Sequence, residues 1–341
     1  MALRPRLTVR RSVLVAQGAT AGEYAAGQLL NSSVDHSVLE VAAAAGPVSS
    51  AGRFRSRCPA SRLYTAGVTK QETSATMSPL PEFDRPPLVE TAIGVVFVPV
   101  EGWRLPHFTR FGRHVEDAYS AAEPQERVIA TPLEEFGTLP APTTLVFESA
   151  AALWWYTDDQ HGRLIQLQRD RFVHNWRKTT ANDRYPKYEQ IREQFRTAWL
   201  SYLGFLAKEN LPVPTVLQIE IDYVNHIERG NGWQSASDIA KLTPLIAAPR
   251  ADFLPLPEAT LLNVRYLIPE NRGRLHVTLQ PAIRNSDKVE LLQLTIGAHG
   301  RPSGSDVESI MNWCDLGHEW IVRGFVDVTT PRMHELWGRI R

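Results

Sequence analysis

Two carboxylates and a histidine occupy alternate positions of one predicted strand. Glu220 and Asp222 share a face of Thr215–Glu228, and their side chains should lie about 6–7 Å apart by the rise of a strand. With His226 on that strand, or His276 on a neighbouring one, they could bind a divalent cation or act as an acid–base pair. The E-x-D pattern also arises on solvated strands. The sequence therefore assigns no catalytic residue and no metal ligand, and it predicts no cofactor.

A basic and aromatic segment, RDRFVHNWRK, spans residues 169–178. One interpretation is binding of phosphate or single-stranded nucleic acid, with Trp176 as a stacking platform. The candidate contacts are Arg169, Arg171, Asn175 and Arg177. The alternative is an edge hairpin kept soluble by charge, with Phe172 and Trp176 buried on one face. The strict alternation fits this alternative without any ligand, so nucleic acid is not the favoured partner.

Two His-Glu pairs lie near the C-terminus, at His318–Glu319 and His334–Glu335. Neither is followed by the second histidine of H-E-x-x-H, and the chain has no G-x-S-x-G, Walker or G-x-G-x-x-G motif. His318 and Glu319 stay candidate ligand-binding residues beside the packing face of a predicted helix. If these two side chains are buried, we expect them to form a structural hydrogen-bond network first and a ligand-binding site only second.

The elements that position these residues follow the order β-α-β-β-β-α twice. The first unit is predicted as Leu88–Val98, Pro106–Ala121, a loop at 122–143, Leu145–Tyr156, Arg163–Gln168, Arg171–Arg177 and Pro186–Glu209. The second is predicted as Thr215–Glu228, Ser235–Leu245, Leu261–Ile268, Arg274–Ile283, Val289–Ala298 and Asp306–Phe325, followed by a stop at Asp327–Thr330 and a short helix. Short connections favour antiparallel neighbours with helices on one face. We therefore predict a single α+β domain at 77–341, with a mainly antiparallel sheet and possible half-repeats at 86–209 and 213–341.

Alternation along the strands marks one polar sheet face. Its predicted members are Gln166, Gln168, Gln218, Glu220, Asp222, His226, Arg274, His276, Thr278, Gln280, Gln293 and Thr295. Such a face is either ordinary solvated surface or a binding surface. Among the polar strand residues, Asn225 and Gln280 complete the candidate ligand-binding set.

Composition narrows the class of protein. The 341 residues include only two cysteines, too few for a disulfide framework, and no run approaches the roughly 20 apolar residues that span a bilayer. Residues 1–76 carry nine basic and four acidic residues, which leaves 28 basic and 33 acidic residues and a net charge of −5 in 77–341. That balance disfavours a nucleic-acid-binding protein that works by neutralising many phosphates. We expect a cytoplasmic protein without a membrane segment.

The first 76 residues are rich in Ala, Gly, Ser, Thr and Arg and lack sustained periodicity. This composition is typical of disorder, or of sequence upstream of a true start at Met77. An Arg-rich targeting peptide is the alternative, although its apolar stretch is interrupted by polar residues and glycine.

Several short motifs carry a family resemblance. They are Pro87–Glu90, Arg163–Gln166, Gln168–Phe172, Asn175–Arg177, Tyr223–Ile227 and His318–Ile321 with Phe325. From about Pro86 onward the chain resembles a sporadically distributed family of uncharacterised prokaryotic proteins that is defined only by a sequence model. The resemblance implies no activity, cofactor or catalytic residue, and the family's patchy distribution is similar to that of genes on mobile or defence loci.

Three functional hypotheses follow. The first is a non-enzymatic binding or regulatory protein that contacts a protein partner through the polar sheet face or the basic hairpin. The second is an enzyme that uses Glu220, Asp222 and either His226 or His276, which requires these side chains to converge. The third is nucleic-acid binding through Arg169–Lys178.

Overall fold

A computed structural model describes residues 79–125, 133–136, 153–248 and 253–341, all within the compact unit Glu72–Arg341. The predicted N-terminal extension lies outside the described residues. The strands are β1 Leu88–Phe97, β2 Ala121–Gln125, β3 Leu153–Thr157, β4 Arg163–Leu167, β5 Arg171–Arg177, β6 Val216–Glu228, β7 Leu262–Ile268, β8 Gly273–Ile283 and β9 Glu290–Gly300. They form one antiparallel sheet in the order β2-β3-β4-β5-β1-β6-β9-β8-β7.

Helices pack against one face of this sheet. They are α1 Leu105–Val115, α2 Tyr188–Lys208, α3 Val307–Val328 and α4 Pro331–Leu336, with a short 3₁₀ helix at Ala236–Lys241. The ring of Phe97 lies 6.0 Å from that of Trp199 on α2, and the ring of Phe172 lies 5.5 Å from it. These aromatic contacts join the helices to the sheet in one apolar core. The predicted α+β class, with an antiparallel sheet and helices on one face, is confirmed.

Four strands of each half of the sheet share one order, and β2 is an additional edge strand of the first half without a counterpart in the second. β1 and β6, the first strands of the two halves, pair at the centre. Moving outward, each is followed by the last strand of its half, β5 or β9, and then by the two preceding strands in reverse order. A long helix, α2 or α3, follows the last strand in each case. The topology repeats, whereas an origin by duplication stays a prediction.

The region after β1 departs from the sequence prediction. α1 ends at Val115 rather than Ala121, and residues 121–125, predicted as helix end and loop, form β2. The segment AAEPQ has low strand propensity, but pairing with β3 satisfies its backbone, and an edge strand tolerates Pro124. The described part of the predicted strand Leu145–Tyr156 begins at Leu153, and residues 145–152 lie outside the described residues.

The closing helix α3 is longer than predicted because its apolar stripe continues. Val328 is buried, so the helix passes the expected stop at Asp327 and ends before Thr329. At its start the Asp306 side chain accepts a 2.8 Å hydrogen bond from the Ser309 backbone. A Cβ at Gly324 would lie 2.6 Å from Cδ2 of Leu275, so glycine permits the close approach to the sheet. Within the described residues, no helix is long and apolar enough to cross a membrane.

Candidate functional site

The sheet face opposite the helices carries a largely buried set of polar side chains, here called the polar face. Its members are Glu90, Gln166, Arg171, Asn175, Gln218, Glu220, Asp222, Arg274, His276 and His299. The loop segment 133–136 is attached to this face, because the backbone N–H of Glu134 donates a 2.8 Å hydrogen bond to Gln218 and the guanidinium of Arg274 donates to the carbonyl of Glu135. Because buried polar groups cost free energy unless paired, this face differs from an ordinary solvated one.

Hydrogen bonds pair most of the side chains near the centre of the polar face. Gln166 donates to Asn175, which donates to Glu90. On the neighbouring strands, Nη1 of Arg171 lies 2.6 Å from a carboxylate oxygen of Glu220. Burial raises the pKa of Glu90 in spite of the nearby Arg177 and the hydrogen bond from Asn175. These hydrogen bonds and the ion pair hold the charged side chains at the centre of the polar face in fixed positions.

A histidine cluster lies on the second half of the polar face and comprises Glu134, His276 and His299. One possible ligand atom from each residue lies within 4.8 Å of the other two. Nε2 of His276 is 2.7 Å from Oε1 of Glu134, and the two imidazole centroids are 4.6 Å apart. β8 supplies His276, β9 supplies His299 and the loop supplies Glu134, so residues far apart in sequence converge. Two imidazoles and a carboxylate are ligands that Zn²⁺ accepts.

Asp222 joins the cluster from β6. Its Oδ1 lies 3.0 Å from Nε2 of His299, and the backbone pairing sets Asp222 opposite Gly297, which in turn lies opposite His276. The other ring nitrogen of His299, Nδ1, is buried and has no hydrogen-bond partner among the described residues. Buried ring nitrogens normally make a hydrogen bond or bind a metal, so Nδ1 is a candidate ligand atom.

The charges of the cluster follow from these contacts. Burial alone would raise the pKa of Glu134, but hydrogen bonds from His276 and Arg274 hold it at about 2. Burial opposes the charge on His299, yet the adjacent Asp222 carboxylate raises its pKa to about 9. Burial lowers the pKa of His276 despite its hydrogen bond to Glu134. Glu134 and Asp222 are thus ionised, whereas His299 is protonated at pH 7 and must lose a proton before it can bind a metal.

The predicted carboxylate and histidine set is only partly brought together. Asp222 and His276 flank Gly297 at the cluster, whereas Glu220 pairs with Arg171. His226 lies four residues along β6 from Asp222, which is roughly 13 Å by strand rise, and does not join them. Elsewhere, the Asn225 amide donates to the backbone carbonyl of Leu294. Gln280 lies opposite Gln293, outside the cluster.

The basic hairpin lies inside the sheet rather than at its edge. β5 pairs with both β4 and β1, so the predicted edge position is wrong. Arg171 and Arg177 are largely buried, and Trp176 packs near Tyr185 on the helical face. Arg169 and Lys178 remain exposed. Buried arginines and a buried indole do not offer phosphates or bases a surface, so nucleic-acid binding stays a prediction that this placement does not favour.

His318 belongs to a hydrogen-bond network between α2, α3 and β6. Nδ1 of His318 lies 2.9 Å from the hydroxyl of Tyr223, and its ring stacks on Tyr188 with centroids 3.8 Å apart. Burial lowers its pKa to about 4. Glu319 instead accepts a hydrogen bond from Arg323 one turn along α3. This network joins helix to sheet, on the face opposite the histidine cluster.

We expect Tyr223→Phe to lower the free energy of unfolding by about 1–3 kcal/mol. The substitution removes a hydroxyl that contacts both His318 and Tyr185 and leaves their polar atoms less satisfied in a buried site. Urea unfolding at pH 7 measures the effect, with Tyr119→Phe as the control, since Tyr119 is also buried. A Tyr223→Phe chain as stable as the wild type would contradict the structural role.

Two cluster members, Glu134 and His299, were not among the sequence candidates. Glu134 lies in a proline-containing segment without periodicity, which gives no signal. His299 lies one residue beyond the predicted end of its strand, whereas β9 continues to Gly300. Extending the alternation of Gln293 and Thr295 by two further steps would have found it.

Comparisons with protein-family models, with curated proteins and with solved structures give no match for this chain. The family resemblance therefore stays a prediction, and the functional argument depends on the geometry alone.

Proposed function

We propose that the protein binds a divalent transition-metal ion, with Zn²⁺ as the best fit, through Glu134, His276 and His299. The observation that carries the proposal is the convergence of three ligand atoms within 4.8 Å from two strands and a loop. Tetrahedral zinc with bonds of about 2.0–2.1 Å needs ligand atoms about 3.3 Å apart, so atoms within 4.8 Å of one another would have to approach by at most about 1.5 Å. Two histidines and one glutamate form a ligand set that selects zinc over magnesium or calcium.

Three protein ligands leave a fourth coordination position open, which is the arrangement of catalytic rather than structural zinc sites. A zinc ion there would act as a Lewis acid and lower the pKa of a bound water. The geometry thus supports the carboxylate and histidine hypothesis, with a revised set of residues, and metal-assisted hydrolysis is the reaction type that fits. Partner binding through the polar face is supported less well, because most of that face is buried.

Zinc is expected to bind the full chain and to stabilise it by about 2.7 kcal/mol when its free concentration is 100 times the Kd. Isothermal titration and thermal unfolding, after removal of metal with a chelator, measure the two quantities. Replacement of His276 or His299 by alanine should abolish both. His226→Ala is the matched control, because His226 shares a sheet face with Asp222 but lies outside the cluster. Zinc binding that survives both cluster substitutions would contradict the proposal.

A further inference from the structure

Gly297 leaves a gap on the polar face that the Asp222 carboxylate fills. Backbone pairing sets Gly297 directly between Asp222 on β6 and His276 on β8. A Cβ at this position would overlap Oδ1 of Asp222 and lie 3.0 Å from Nε2 of His299. The absence of a side chain at Gly297 is therefore what lets Asp222 reach His299, which lies two residues further along the neighbouring strand β9.

The contact between Asp222 and His299 fixes the roles of the two imidazole nitrogens. The Asp222 carboxylate is ionised and can only accept, so Nε2 of His299 carries the hydrogen that is donated across 3.0 Å. When the protonated ring loses its second proton to make way for a metal, the lone pair is on Nδ1, the atom that is buried without a hydrogen-bond partner among the described residues. Metal-binding histidines commonly donate their other N–H to a carboxylate, which orients the ring.

We propose that Asp222 is a positioning residue, which holds His299 so that Nδ1 binds the metal while Nε2–H stays bonded to the carboxylate. The proposal rests on the proposed zinc site and assigns its coordination: Nδ1 of His299, an imidazole nitrogen of His276 and the carboxylate of Glu134. The competing arrangement has Asp222 as a fourth ligand and Nε2 of His299 on the metal. That arrangement would break the observed hydrogen bond and close the open position.

Long-range ¹H–¹⁵N spectra of the full chain, labelled with ¹⁵N-histidine, distinguish the two arrangements on addition of Zn²⁺. His299→Gln identifies the resonances of His299. The expected result is a zinc-induced shift of Nδ1 while Nε2 keeps its proton. A metal-bound Nε2 would overturn the assignment and leave the proposed function standing. The absence of any zinc-induced change at His276 and His299 would overturn both.

Affinity measurements on three variants provide a second readout. Asp222→Ala is expected to weaken zinc binding about 10–100-fold, the usual cost of losing an outer-shell partner. Asp222→Asn should bind nearly as tightly as the wild type, because its amide oxygen can accept the same hydrogen bond. Gly297→Ala should weaken binding at least as much as Asp222→Ala, because the new Cβ overlaps the carboxylate and also lies 3.0 Å from Nε2 of His299. A zinc affinity of Asp222→Asn as low as that of Asp222→Ala would overturn the positioning role. Thermal unfolding in metal-free buffer confirms that each variant is folded.

Discussion

Replacing Arg171 by methionine is expected to lower the free energy of unfolding by about 3–5 kcal/mol, the usual cost of breaking a buried ion pair. Arg171 and Glu220 are 5% and 4% exposed, and their charged groups are 2.6 Å apart. Without the guanidinium, the Glu220 carboxylate keeps the hydrogen bond from Gln218 but loses the positive charge of its ion-pair partner. A buried carboxylate in that state is strongly destabilised.

The paired replacement Arg171→Met with Glu220→Leu tests this reason for the loss. Removing both charges leaves no unpaired ion, so most of the stability should return. Arg169→Met is the control for a generic effect of losing an arginine, because Arg169 is exposed at the adjacent turn. Urea unfolding at pH 7 measures all three. A loss below about 1 kcal/mol for Arg171→Met would place the pair in the range of surface salt bridges and contradict its buried character.

Acidification is expected to destabilise the protein through His174, the second large effect. His174 is fully buried on the helical face, and neither ring nitrogen has a hydrogen-bond partner among the described residues. Burial, together with the nearby charge of Arg163, lowers its pKa from 6.5 to about 3, and Asp158 opposes this only in part. Below pH 6.5 the unfolded chain binds a proton at His174 that the folded chain does not, so stability falls as the pH drops.

Between pH 7 and pH 4.5 the loss assigned to His174 should be about 3 kcal/mol, at 1.36 kcal/mol per pH unit over the affected window. His174→Leu should remove this part of the pH dependence, and it should match or exceed the wild-type stability at pH 7 because no unpaired nitrogens are buried. His114→Leu is the control, since His114 is exposed. Unfolding curves at the two pH values give the comparison. An unchanged pH dependence in His174→Leu would show that His174 is not buried as a neutral group.

Strand alternation in the sequence was sufficient to predict the sheet faces. Ile219 and Ile221 were expected on one face of β6, with Glu220 and Asp222 on the other, and the structure has them so. Period-two patterning works here because helices cover one face, so a side chain on the wrong face would be costly. The sequence pattern did not predict the strand at residues 121–125, because pairing with β3 overrides the weak strand propensity of this segment.

The histidine cluster was only half predictable, for a physical reason. Asp222 and His276 could be assigned to one face. Which side chains meet on that face depends on the order of the strands in the sheet, and local sequence patterns do not reveal that order. The adjacency of β6, β9 and β8 brings Asp222, His299 and His276 together across Gly297. Glu134 comes from a loop whose position depends on its contacts with Gln218 and Arg274, which no local pattern encodes.

The most direct test of the proposed zinc site is a crystal structure of the full chain grown with Zn²⁺, with data collected on both sides of the zinc absorption edge. We predict one strong anomalous peak about 2.0–2.2 Å from a carboxylate oxygen of Glu134 and from a ring nitrogen each of His276 and His299. An anomalous map without a peak at these three residues, from crystals in which the cluster is ordered, would contradict the account.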